Sequence, residues 1–177
     1  MPTPILVTSP ATSPLSLAEA KQYCNVALSH DDQLIEDLIL GAVSRLDGWG
    51  GLLGRALEAQ TWELMMDGLP ATIRLPLGPA VSVESIVYID VAGDEQTIGP
   101  DDFVLAADRI VPAPGVAWPP TRAMPGAARV RWVAGNGCPP GIKDVIRRMV
   151  RHEYDHRDAM DEKIVVAQIT PWRRIAV

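Results

Sequence analysis

The sequence predicts an α+β fold in which N-terminal helices and a C-terminal helix form a small helical bundle, with a small antiparallel β subdomain inserted between them. Three observations carry this expectation. Leu34, Ile35, Leu38, Ile39, Ala42, Val43 and Leu46 recur at the spacing of one helical face. From Gln60 to Ala134 the pattern changes to short runs rich in β-branched and aromatic residues, punctuated by Gly, Pro and Asp. After "GNGCPPG" the helical period returns, with Ile142, Val145, Ile146, Met149, Val150 and Tyr154 on one face.

Taken in order, residues 1–15 carry four prolines among small polar residues, which resists helix and central strand and reads as an extended arm. Ser16 followed by Glu19 is a capping box, so a short helix is expected over about Leu17 to Cys24. Asp31 and Asp32 then favour the N-terminus of the long helix, which should fade near Gly48, Gly50 and Gly51. Within the β-rich insertion, residues 60–134, "DVAGDEQ" reads as a hairpin turn with Gly93 supplying the permissive backbone. "PAPGVAWPPTRAMPG" holds too many prolines for a ladder and is expected as a surface loop around Trp118. The last helix is expected to reach about Ala159, so one domain covers residues 16–159, helical over 16–56 and 139–159. Residues 160–177 lack a clear period and read as a C-terminal tail ordered by a partner.

Composition narrows the function classes. A chain of 177 residues with 47% hydrophobic and 21% charged residues has the size and usage of one globular domain, which leaves no room for an elaborate enzyme. A net charge of −6 provides no basic field for tight binding to a phosphate backbone, which argues against sequence-specific DNA recognition. No apolar run is long enough for a membrane helix, and the first seventeen residues lack a signal-peptide pattern, so no membrane association is expected and the chain should be soluble and intracellular when made. Cys24 and Cys138 form neither a zinc ribbon nor a redox pair and read as small buried side chains. Neither glycine-rich phosphate-loop pattern is present, so no nucleotide cofactor, and no other cofactor, is expected.

One motif demands a chemical alternative. His152-Glu153-Tyr154-Asp155-His156 spells the H-E-x-x-H pattern, in which two histidines one helical turn apart bind zinc and the glutamate acts as general base. A third ligand is also required. Where the extended form of the motif has a turn glycine and a last histidine, this chain has Ala159 and Glu162, and His30 is the only other histidine. The competing expectation puts His152 and His156 on the polar face of an amphipathic helix, with Glu153 pairing with Arg157 one turn on.

The order of segments resembles the head-tail connector, or adaptor, proteins of tailed phages and of phage-like gene transfer agents. "PLSLAEAKQYCNV" followed by "HDDQLIEDLILGAVSRLDGW" is similar to the family's opening, a short helix and then an acidic cap leading into a long amphipathic helix. "GRALEAQTWELMMDG", "IRLPLGPAVSVESIVYID" and "DRIVPAPGVAWPPTRAMPGAARVRWVAGNG" resemble its following blocks, and "PPGIKDVIRRMVRHEYDHRDA" its terminal helix, with His152, Tyr154 and Arg157 at recurring places. The similarity runs from about Leu15 to Ala159 and lies in the order of the blocks.

This resemblance implies a non-enzymatic virion protein at the head-tail junction, made in the host cytoplasm before assembly. Such proteins form a ring, typically a dodecamer, beneath the portal protein, extend the DNA channel and join the filled head to a stopper or tail-terminator protein. DNA would pass close by without sequence-specific contact. Candidate portal or neck contacts are Trp118, the basic helix face of Lys143, Arg147, Arg148, Arg151 and Arg157, and the terminal Trp172, Arg173 and Arg174, because Trp and Arg are enriched at interface hot spots. The alternatives are a zinc metalloprotease using residues 152–156 and a binding module of some other assembly.

Overall fold

The computed structural model describes residues 3–173, which divide into a sheet unit, made of Ala59–Asn136 with the N-terminal segment up to Ala11, and a helical unit, made of Thr12–Glu58 with the chain from Gly137 onward. Helix and antiparallel sheet are thus combined, as the periodicities predict.

In the sheet unit, strands β1 (Ile5–Thr8), β2 (Gln60–Met66), β3 (Ile73–Arg74), β4 (Ala80–Ile89), β5 (Glu95–Thr97), β6 (Phe103–Ala106), β7 (Arg109–Pro112) and β8 (Ala128–Ala134) form two sheets rather than one. The larger has the order β1-β2-β8-β4-β5 and the smaller β3-β7-β6, with every pairing antiparallel. Strand β8 sits at the centre of the larger sheet. It alternates strictly: Ala128, Val130, Trp132 and Ala134 are buried, while Arg129, Arg131 and Val133 face the other way. Across that second face Arg131 pairs with Glu63, its register partner on β2, at 2.7 Å, and Arg129 pairs with Glu95 at 2.7 Å.

The hairpin between β4 and β5 is organised by Asp90, whose carboxylate accepts the amides of Ala92, Gly93 and Asp94 at 2.9–3.0 Å. Gly93 takes φ +104°, a conformation open to glycine at little cost. Part of the expected arm is also ordered: Ile5–Thr8 pairs with β2, and flanking prolines are compatible with this because β1 is an edge strand.

The helical unit contains α1 (Leu17–Cys24), α2 (Asp32–Leu46), α3 (Pro140–His156) and α4 (Glu162–Ile169), followed by a short 3-10 turn at Thr170–Trp172. The Ser16/Glu19 capping box forms in full. Ile35, Ile39, Ala42 and Leu46 of α2 are buried with Ile142, Val145, Ile146, Met149 and Val150 of α3, and Leu15 joins this core. Leu15, expected as the end of the extended arm, is therefore part of the helical core.

The tail differs from expectation as well. Asp161 caps α4 by accepting the Lys163 amide at 2.8 Å, and Val165 and Ile169, one turn apart, are fully buried in the helical core. Residues 160–173 are thus held by their own unit. Two buried positions in a single short helix are too few to establish a period, which is why the sequence reads as featureless there. Helix α3 ends at His156, short of Ala159, because Arg157 adopts the left-handed conformation at φ +57°.

Candidate interaction surfaces

The polar side of α3 arises from its sequence period, which sends Lys143, Arg147, Arg148 and Arg151 away from the apolar stripe. In the folded chain each already has an acidic partner. Lys143 pairs with Glu19 at 2.7 Å and Arg147 with the same oxygen at 3.3 Å, which joins α3 to the start of α1. Arg148 pairs with Asp144 at 2.6 Å, and Arg151 pairs with Asp155 while donating to the Tyr23 carbonyl at 3.0 Å. Arg157 lies outside this row, its guanidinium 5.2 Å from the centre of the Tyr154 ring. Four cations facing three carboxylates leave the α3 surface with a small positive excess.

Glu19 is the hub of this network. Its hydrogen bond to Lys143, followed by those from the Ser16 amide and hydroxyl, lowers its pKa from 4.5 to about 2. A depressed carboxylate pKa stabilises the fold fully above the ordinary value, and the contribution is lost as pH falls toward the folded value. Glu19→Gln is therefore expected to lower the melting temperature at pH 6, with the gap to wild type closing between pH 4.5 and about 2. Thermal melts of both proteins across that range check this; a gap independent of pH would contradict it.

The H-E-x-x-H segment makes its contacts within the helical unit. Glu153 does not pair with Arg157, as the sequence suggests, because the helix has ended there. It meets Arg45 of α2 at 3.4 Å, and Arg45 also donates to the Met160 carbonyl at 3.2 Å. The rings of His152 and His156 stack on each other with centroids 4.5 Å apart, and His156 Nδ1 lies 3.0 Å from the His152 carbonyl oxygen. Among the described residues, no group of three His, Cys, Asp or Glu side chains is placed to hold a metal ion. Tyr154 donates to Asp31 at 2.6 Å, and that hydrogen bond raises its pKa. Burial raises the thiol pKa of Cys24, and that of Cys138 to about 11, so both stay protonated at neutral pH.

The C-terminal candidates lie on the helical unit itself. The Trp172 indole covers Gly141 in the first turn of α3 so closely that a β-carbon at Gly141 would overlap the ring. Arg173 Nε donates to the Leu52 carbonyl at 2.9 Å, while Arg174 lies outside the described residues. Gly141→Ala is expected to displace Trp172 and release the segment beyond α4, at a cost of about 1–3 kcal/mol. Faster hydrogen exchange at residues 170–173, with α3 remaining protected, is the readout; unchanged protection would contradict the contact.

On the sheet unit, Trp118 is half-buried and lines a cavity of about 250 Å³ with Tyr88, Thr97, Ile98, Asp102, Val116, Ala117 and Pro119. Its indole N–H is buried without an acceptor among the described residues. A larger groove of about 890 Å³ is lined by residues that include Met65, Met66, Leu69, Pro70, Arg74 and Pro76. Sequence reasoning passed over Arg45, Arg74 and Asp102, whose partners or neighbours come from distant parts of the chain.

No family model matches the chain, and no curated protein has a significantly similar sequence. Solved structures do. The chain is similar to one in the virion of a native gene transfer agent particle, with a TM-score of 0.73, 21% identity, and coverage of 98% of this chain and 96% of the other. A chain in the neck of an empty particle, computed with sixfold symmetry, gives 0.74 at 19% identity, covering 99% and 97%. A chain in the neck of a native particle, computed with twelvefold symmetry, gives 0.68 at 20% identity with the same coverage. At such identities the common property is the fold, and it extends over nearly the whole of both chains.

Proposed function

We propose that this chain is a structural, non-enzymatic component of a phage-like virion neck: a head-tail connector that forms a ring under the portal, extends the DNA channel and joins the filled head to the tail. The observation that carries the reading is the fold match over 98–99% of the chain to chains of gene transfer agent particles, two of them particle necks. The block order of the sequence points the same way. The twelvefold symmetry of one of those necks supports a ring of twelve copies. A net charge of −6 suits a channel wall, since like charge disfavours tight contact with the DNA backbone.

In this reading the portal protein lies on one side of the ring and a stopper or tail terminator on the other. Trp118, Trp172, Arg173 and the α3 cations are the proposed contacts. The internal pairing of those cations narrows their role, because an incoming acidic surface must compete with Glu19, Asp144 and Asp155. Deleting the gene tests the function. DNA-filled heads without tails are expected by electron microscopy, restored to tailed particles by the gene in trans; tailed, infectious particles from the deletion would overturn the reading.

A further inference from the structure

The smaller sheet carries separated charges that its own unit leaves unpaired. Pairing of β3 with β7 sets Arg74 directly opposite Arg109, and pairing of β6 with β7 sets Ala106 opposite Arg109, so all three occupy one row on one face. Ile73 and Ile110, one residue along, are fully buried on the opposite face. Both arginines are exposed, and among the described residues neither has an ion pair or a side-chain hydrogen bond. Like charges directly opposite on neighbouring strands are unfavourable. An anionic partner would relieve them.

The other end of the same hairpin is acidic. Asp101 and Asp102, in the 3-10 turn Pro100–Asp102 leading into β6, are exposed and likewise without ion pairs among the described residues. Asp102 and Ala106 are four positions apart, or about 13 Å at ~3.3 Å per strand residue. Val104, 43% exposed, lies between the two ends. Asp102 also lines the 250 Å³ cavity that holds Trp118 and Tyr88. A carboxylate beside two aromatic rings is a receptor for a guanidinium group, by ion pairing and by stacking.

From this complementarity we infer that the smaller sheet is a contact between copies of this chain: Arg74 and Arg109 of one copy pair head to tail with Asp101 and Asp102 of the next, one guanidinium entering the Trp118 cavity. The inference rests on the ring reading above, because a head-to-tail contact uses two different patches and closes only through rotation. It adds which surfaces meet.

The test uses the full chain in sedimentation velocity at low salt, up to millimolar concentration. Wild type is expected to assemble beyond two copies and to dissociate in about 0.5 M salt, where exposed charges are screened. The double variants Asp101→Lys/Asp102→Lys and Arg74→Glu/Arg109→Glu should each weaken self-association by about tenfold or more. An equimolar mixture of the two should restore it, as should all four substitutions in one chain, while circular dichroism confirms that each variant is folded. Wild type remaining a monomer, variants assembling like wild type, no rescue on mixing, or growth that stops at two copies would each overturn the inference. None of those results touches the connector reading, which stands or falls on particle morphology in the deletion strain.

Discussion

Trp132→Ala is expected to destabilise the sheet unit by about 3–5 kcal/mol, the usual cost of emptying a large aromatic site in a core. Trp132 is fully buried at the middle of β8, opposite Trp62 of β2 and Val83 of β4. Its indole N–H donates to the Leu77 carbonyl at 3.2 Å, so truncation leaves both a cavity and a buried acceptor without its donor. Since a whole domain is typically stable by only ~5–15 kcal/mol, the loss is a large fraction of the total. Urea titration followed by circular dichroism gives the readout, with the midpoint falling and the slope unchanged. Trp132→Phe separates the two causes, because it keeps most of the packing and removes only the donor, and should recover more than half of the loss. A cost under about 1 kcal/mol for the alanine variant would contradict the central place of β8.

Local signals were legible and long-range ones were not. The Ser16/Glu19 box, the apolar stripes of α2 and α3 and the Gly93 turn are each written within a few consecutive residues, and each forms as its local chemistry dictates. The division into two sheets depends on pairing β3 with β7, more than thirty residues apart, and nothing in "TIRLP" identifies that partner. The same limit hides Arg74 beside Arg109 and Arg45 beside Glu153. The packing of the tail and of the arm's last residue was hidden for another reason. Val165, Ile169 and Leu15 are apolar residues too sparse to show periodicity, yet each finds a place in the helical core. The H-E-x-x-H match shows the same limit from the other side: the spacing and the helix are legible, but the Arg45 that meets its glutamate lies on another helix.

The helical unit should respond most strongly to Ile146→Asp. Ile146 is fully buried on the α3 stripe, packed within the cluster that includes Leu46 of α2, Val165 of α4 and its own neighbours Ile142 and Met149. An ionised carboxylate there loses its hydration with no cation to replace it, at a cost of several kcal/mol, so the helical unit is expected to unfold at neutral pH. The sign of the pH dependence is a sharper test. Burial raises the pKa of the introduced carboxyl above its unfolded value, so the native state takes up the proton more readily and the variant regains stability as pH falls through that raised value toward the ordinary carboxylate value of about 4. For Glu19→Gln the deficit also shrinks as pH falls, but there because wild type loses its depressed carboxylate, whereas Ile146→Asp itself gains stability. Arg148→Asp, two positions away at a site where the side chain is 51% exposed, serves as the control for charge alone and should cost about 1 kcal/mol or less, the loss of its Asp144 pair and the new like-charge contact included. Methyl resonances of the helical core, followed by NMR at pH 7 and pH 4.5, distinguish the outcomes. Native dispersion for Ile146→Asp at pH 7 would mean that this face of α3 does not bury the core.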